Sequence, residues 1–183
     1  MTKRFKKSDW LDFGLAELAS NGPEALRVKE LCAAADKTIG SFYHHFDDQA
    51  AFIDALMEHW HETVTQPVID ALEEIDDAQQ RARELSDLAT SLDPSIEVNI
   101  RLLASQNARV QQAVERVDRQ RIAYVTQMYA KRFSIAVEEA SLLAKLEYAA
   151  FVGGQHAFRG SYTTVGPKLA ALLQSALEEK YRE

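Results

Sequence analysis

At 183 residues, 46% apolar and 27% charged, the chain is long enough to bury a sizeable core and has the composition of an ordinary folded domain. No segment approaches the roughly 20 apolar residues of a membrane helix, and the basic start MTKRFKKSDW lacks the apolar stretch of a secretory signal, so no membrane partner and a cytoplasmic location are expected. Cys32, the 1 cysteine present, excludes an internal disulfide and a cysteine-built metal cluster.

The net charge of −7 would argue against a nucleic-acid partner if it were evenly spread. It is not: residues 1–46 hold 7 basic and 6 acidic groups, whereas residues 47–183 hold 14 and 22. Four of the early cations, Lys3, Arg4, Lys6 and Lys7, fall within the first seven residues. Phosphate attraction acts locally under physiological screening, so this distribution permits DNA binding at the N-terminal end.

Taken in chain order, almost every segment reads as helix, and no β-branched alternation is long enough to argue for a sheet. Ser8 is a plausible N-cap for a first helix with Leu11, Leu15, Leu18 and Ala19 on one side, stopped at Asn21-Gly22-Pro23. A short second helix is expected from Val28 to Ala35, with Leu31 and Cys32 inward. After Asp36-Lys37, Thr38 caps a third short helix, IGSFYHHF. Asp48 caps a longer fourth through Phe52, Leu56, Trp60 and Val64, disturbed near Pro67. Further helices follow over Ala78–Leu92, from Asp93-Pro94 onward, through Val110–Met128, over Val137–Phe158 and over Gly166–Tyr181. The expected fold is therefore all-α with about nine helices, divided into residues 1–47 and 48–183.

Two short helices joined by a tight turn and braced by a third form the geometry that places a recognition helix in the major groove of DNA. That groove is about 12 Å wide and admits one helix, with small residues where backbones come close. Thr38, Gly40 and Ser41 supply such positions; Tyr43 and His45 add hydrogen-bonding tips; Lys29 on the second helix can reach a phosphate or a guanine edge. The stretch LRVKELCAAADKTIGSFYHHFDDQAAFIDAL, residues 26–56, resembles the signature of the TetR family of repressors. Leu31 and Cys32 stand at its apolar-Ala pair, and Thr38, Gly40, Ser41, Phe42, Tyr43, His45 and Phe46 match in register. The resemblance covers about 50 residues closely; beyond them only helix number, length and a loose pattern agree.

The resemblance implies DNA contacts from Lys29, Thr38, Gly40, Tyr43 and His45, with Phe42 and Phe46 in the core. Where the family's turn is usually Gly-Val this chain has Asp36-Lys37, so the turn could be irregular, and Lys37 becomes a further phosphate ligand. Ile39 replaces a common polar base reader and can touch a thymine methyl, but it donates nothing. Gln49 lacks the charge of the usual lysine, and Arg27 stands for the usual hydroxyl cap. His44 is either solvent-exposed or base-facing, and Tyr43 is either a DNA contact or one more core aromatic.

The TetR resemblance also implies a homodimer through the last two long helices, and a small-molecule cavity between the long helices whose occupancy changes the spacing of the recognition helices. Candidate lining residues, an apolar set with a few polar groups, are Trp60, Arg101, Gln106, Tyr124, Met128 and His156. Gly153-Gly154 inside a helix costs about 2 kcal/mol relative to Ala-Ala; it marks either a kink or a close approach at a subunit seam. Leu169, Leu172, Leu173 and Leu177 give the final helix a seam of its own.

His59 and His61, at i and i+2, face different sides of a helix and make no metal site. No nucleophile triad, paired carboxylates, phosphate loop or metal signature is present, so no enzyme activity and no cofactor are expected. The expected function is a ligand-responsive transcriptional regulator, a repressor that releases a pseudo-palindromic double-stranded operator when its effector binds. The alternative is a TetR-like helical protein that has lost DNA binding and acts through protein partners.

Overall fold

A computed structural model describes residues 5–181. In chain order the helices are α1 (Lys7–Asn21), a 3-10 turn (Pro23–Leu26), α2 (Val28–Ala34), α3 (Ile39–Tyr43), α4 (Gln49–Trp60), a π-turn (His61–Thr65), α5 (Gln66–Glu73), α6 (Ala78–Ser91), α7 (Ser95–Ala104), α8 (Ala108–Phe133), α9 (Val137–Ala157) and α10 (Tyr162–Lys180). Counting the run 49–73 once, the α-helices among the described residues number nine, as the sequence predicts, and no strand occurs among them. None of these helices is long and apolar enough to cross a membrane.

The chain forms two compact units, residues 1–64 with 95–115 and residues 65–94 with 116–183. In the first, α1 packs against α4 and α7, and α2 against α3. Its centre is aromatic: Phe42 lies 5.5 Å from Trp10 and 5.2 Å from Phe52, ring centre to ring centre, mostly edge to face. Gly14 is required here, because a Cβ at that position would lie 2.8 Å from Cζ of Phe52. In the second unit α10 packs on α6 and α9, around Ala82, Val125, Met128, Tyr129, Ala140, Ala144 and Leu177.

Several boundaries differ from expectation for local reasons. The N-terminus of α1 is not capped by Ser8; its first turn includes Ser8, and the backbone N–H of Lys6 donates to the Asp9 carboxylate at 2.7 Å. The disturbance expected near Pro67 takes the form of the π-turn just before it, a widening that relieves the clash of a proline ring with the preceding turn. At the other end, α10 begins at Tyr162 rather than Gly166. Its Tyr162 ring lies over Gly154 and Gly166, where added Cβ atoms would approach to 3.1 and 2.9 Å.

The turn between α2 and α3 is regular despite lacking glycine. Asp36 takes φ 52°, while its N–H donates to Ala33 O at 3.2 Å and the Lys37 N–H to Cys32 O at 2.9 Å. This is a Schellman motif with aspartate in the left-handed position, which a short polar side chain tolerates better than a bulky one.

Candidate nucleic-acid interface and effector cleft

The orientation of α3 follows from its caps and its one buried aromatic. The Thr38 hydroxyl accepts from the Ser41 N–H at 3.2 Å and fixes the first turn. Phe42 is fully enclosed and Phe46 nearly so, and the Asp48 carboxylate, accepting from the Ala51 N–H at 2.7 Å, starts the next helix. With Phe42 pinned inward, Ile39, Gly40 and Tyr43 face solvent; Ile39 and Tyr43 are each 49% exposed. At Gly40 an added Cβ would meet only Thr38 Oγ1, at 3.9 Å. The fold of this chain thus gives no reason for a glycine there, although glycine weakens a helix by about 1 kcal/mol.

The polar candidates separate into two groups. Lys29, Thr38 and His44 are exposed. Lys37 is instead drawn back, its Nζ 3.3 Å from the carbonyl oxygens of Ala35 and Asp36 and 4.9 Å from the centre of the Phe5 ring. His45 is half-buried, and its Nε2–H donates to the Phe5 carbonyl at 3.0 Å. Lys37 and His45 therefore hold Phe5 against the turn and α3, a role the sequence reading did not foresee. Phe5 is the residue it missed; no local spacing connects two groups 40 positions apart. Arg27 forms a 2.5 Å ion pair with Glu24. Of the early cations, Lys3 and Arg4 lie outside the described residues, while Lys6 and Lys7 are exposed. The Cys32 thiol is buried beside the Thr38 carbonyl, and burial pushes its pKa up, away from thiolate reactivity.

The second unit contains a cleft of about 640 Å³. Its walls are Gln66, Ile69 and Glu73 from α5, Ala78 and Arg81 from α6, and Gln120, Ala123, Tyr124, Gln127, Met128 and Lys131 from α8. The α8 members share one face at helical spacing. Of the sequence candidates, the cleft brings together Tyr124 and Met128. Trp60, Arg101 and Gln106 belong to the first unit: Trp60 is fully buried, Arg101 lies 3.8 Å from Glu97, and Gln106 is exposed just after α7. His156 is exposed on α9 and does not line this cleft.

Within the cleft the Tyr124 hydroxyl is buried with no hydrogen-bond partner among the described residues. Burial pushes its phenol pKa up, Arg81 opposing and Glu73 adding to the rise. The Arg81 guanidinium donates from Nε to the Ile75 carbonyl at 2.8 Å and from a terminal nitrogen to the same oxygen. Gln120 Nε2 donates to Gln66 Oε1 at 3.3 Å across the same cleft. The signal that would have found the α8 residues is their i, i+3, i+4, i+7 repetition from Gln120.

The same unit exposes an apolar face on α9 and α10. Leu142 is 68% and Leu172 69% exposed, and Leu146 and Leu169 are exposed with them. Along α9 the stripe continues through Ala149, Ala150 and Gly153, all exposed. Gly154 is explained internally by the Tyr162 ring; Gly153 is not, since a Cβ there would meet nothing within 4 Å.

A short exposed helix set on a Schellman turn and braced by α1 is a helix-turn-helix, the arrangement that DNA-binding proteins of this kind lay into the major groove. Residues 11–56 match the family described as bacterial regulatory proteins, tetR family. The similarity to the tetR family is carried by this N-terminal segment, about a quarter of the chain.

Solved structures agree in fold over nearly the whole chain. A Saccharomonospora viridis protein described as a transcriptional regulator, solved with choline, has TM-score 0.79 at 12% identity, covering 94% of this chain and 95% of its own. Escherichia coli NemR in its reduced form has TM-score 0.73 at 18% identity, with 92% and 95% covered. A Pseudomonas aeruginosa PAO1 protein, also described as a transcriptional regulator, has TM-score 0.75 at 18%, with 96% and 93% covered. No curated protein matches the chain in sequence.

Proposed function

We propose that this protein is a homodimeric, ligand-responsive repressor that binds a pseudo-palindromic DNA operator and releases it when a small molecule occupies the second unit. The observation that carries this reading is the outward face of α3, where half-exposed Ile39 and Tyr43 flank a glycine that the fold itself does not require. A glycine with no internal reason is accounted for by an outside surface that must approach the backbone, as a groove wall does. Lys29, Thr38, Ile39, Gly40, Tyr43 and His44 make the contacts, while Lys37 and His45 hold Phe5. The division at residue 47 is one of function: the DNA-binding part ends before α4.

The dimer forms through the leucine and small-residue face of α9 and α10, where Gly153 admits close helix approach. Two recognition helices then meet half-sites about 34–36 Å apart, or a modest multiple. The effector enters the α5, α6 and α8 cleft, where the Tyr124 hydroxyl lacks a partner. An effector preferring the released state by about 1–3 kcal/mol suffices for regulation. One protein of similar fold, from S. viridis, was solved with choline bound.

The test is enrichment of duplexes by the purified protein from a randomised DNA pool, followed by retardation of the enriched sequence at several salt concentrations. An inverted-repeat consensus with binding that weakens steeply as salt rises is expected. Failure to enrich any sequence at low salt would remove the DNA-binding function.

A further inference from the structure

We infer that Ile39 is a specificity-determining residue that selects a thymine by its C5-methyl group, so each half-site carries a thymine beneath the first turn of α3. This rests on the DNA-binding reading above and adds to it the chemistry of one base step. The outward face of α3 offers an unusual set of groups for a base reader. Ile39 opens the helix and is 49% exposed, Gly40 carries no side chain, and Tyr43 follows one turn later with the face's phenolic hydroxyl. Nothing at the first two of these positions can donate or accept through a side chain.

The major-groove edges of the bases present donors and acceptors throughout, with one exception, the thymine methyl. An isoleucine pressed against N7 and O6 of guanine, the N4 amino group of cytosine or the N7 and N6 of adenine strips those atoms of water and returns no hydrogen bond. Against thymine it buries methyl on methyl. The selection therefore acts twice, by a favourable contact with thymine and by a desolvation cost at the other three bases. The side chain is also held for the purpose. Its backbone is fixed by the Thr38 cap on Ser41 at 3.2 Å and by Phe42 locked in the core, and a β-branched residue has few χ1 rotamers to lose.

Gly40 permits the approach this contact needs. A Cβ there would project into open space 3.9 Å from its nearest neighbour, Thr38 Oγ1, where a groove edge would otherwise come closest. The neighbouring polar groups, Lys29 and Tyr43, are left to fix register on the duplex and to contact other steps.

The experiment uses the full-length protein and the duplex it enriches from the randomised pool. Each thymine is replaced in turn by deoxyuridine, which removes only the methyl, and each cytosine by 5-methyl-deoxycytidine, which adds one. Deoxyuridine at one symmetric pair of steps is expected to weaken binding about fourfold per half-site, the worth of one buried methyl group; at other steps it should have little effect. Ile39→Ala, at an exposed position that leaves the fold intact by circular dichroism, should bind more weakly overall and lose sensitivity to deoxyuridine at that pair alone. Ile39→Lys should shift the enriched base there from thymine to guanine. The inference is overturned if every deoxyuridine substitution is tolerated, or if the Ile39→Ala protein remains as sensitive as the parent. In either case an enriched operator still stands, whereas absence of enrichment removes DNA binding itself and the inference with it.

Discussion

The side-chain amide of Asn99 donates 2.9 Å to the carbonyl oxygen of Leu18, tying α7 to the last turn of α1. The same nitrogen lies 3.1 Å from the Ala19 carbonyl. The Leu18 carbonyl also accepts from the Gly22 N–H at 3.0 Å, which leaves its second lone pair and the Ala19 carbonyl to be served from outside the helix, and α1 carries no basic residue in its final turn to do so. Asn99 is buried, so it meets this need where water does not reach. Asn99→Ala should cost about 0.5–1.5 kcal/mol, the net worth of a hydrogen bond, since the Leu18 carbonyl keeps the Gly22 N–H. A thermal melt should show a fall of about 2–4 °C for each kcal/mol lost. An unchanged melting temperature would mean that water replaces the amide, and the link between α7 and α1 would lose its energetic importance.

How far this molecule could be read from its sequence depends on the distance over which each constraint acts. The helix-turn-helix was legible because its determinants are local: Phe42 and Phe46 at i, i+4, the Thr38 and Asp48 caps, and the break at Asn21-Gly22-Pro23. The anchoring of His45 on Phe5 was not, since its partners meet only after α1 has folded back. In the cleft, Tyr124 and Met128 were identifiable because they share one face of α8, but Gln66 and Arg81 come from other helices and no periodicity links them to it. Trp60 shows the converse limit. A large aromatic at helical spacing suits a cavity wall and a core equally well, and here it fills the core of the first unit.

Glu147 supplies a pH dependence. Its carboxylate accepts from the Tyr129 hydroxyl at 2.7 Å and from Gln174 Nε2 at 3.0 Å. Arg132 stands one step away, donating to Gln174 at 2.6 Å and to Glu178 at 2.7 Å. Burial pushes the Glu147 pKa above its ordinary 4.5, against the opposing effects of Tyr129, Gln174 and Arg132. The folded protein therefore holds this proton more tightly than the unfolded chain, and ionisation lowers stability as pH climbs from the unfolded pKa to the folded one. Glu147→Gln cannot ionise. Melting curves of the two proteins should diverge in favour of the variant as pH rises above 4.5, and the gap should level off once Glu147 is ionised in the folded state. A gap that is constant across that range would show the carboxyl is not buried in solution.

The glycines of α9 and α10 should respond in opposite ways to the same change. Gly166→Ala drives a Cβ to 2.9 Å from the ring of Tyr162, a side chain only 2% exposed, and overpacking of this kind costs about 1–3 kcal/mol. Gly153→Ala meets nothing within the chain and should favour the isolated helix by about 1 kcal/mol, yet loosen the pairing of subunits. Sedimentation equilibrium should record a weaker dimer for Gly153→Ala, with helical content kept or increased. Dimerisation as tight as in the parent would place the subunit seam elsewhere.

On the DNA side, Lys29 and Tyr43 should be separable by salt. Lys29 is an exposed cation at the start of α2, suited to a phosphate, and removing one phosphate contact lowers the slope of log affinity against log salt by about 0.9 per site. In a symmetric dimer Lys29→Ala should therefore flatten that slope by about twice as much, with the loss similar on every duplex sequence. A tyrosine contact is a hydrogen bond rather than a cation–phosphate pair, so Tyr43→Ala should weaken binding at all salt concentrations and leave the slope nearly unchanged. Neither side chain is buried, so both variants should remain dimeric with melting temperatures close to the parent. A broken dimer or a collapsed melting temperature in either variant would assign that side chain to the fold and withdraw it from the interface.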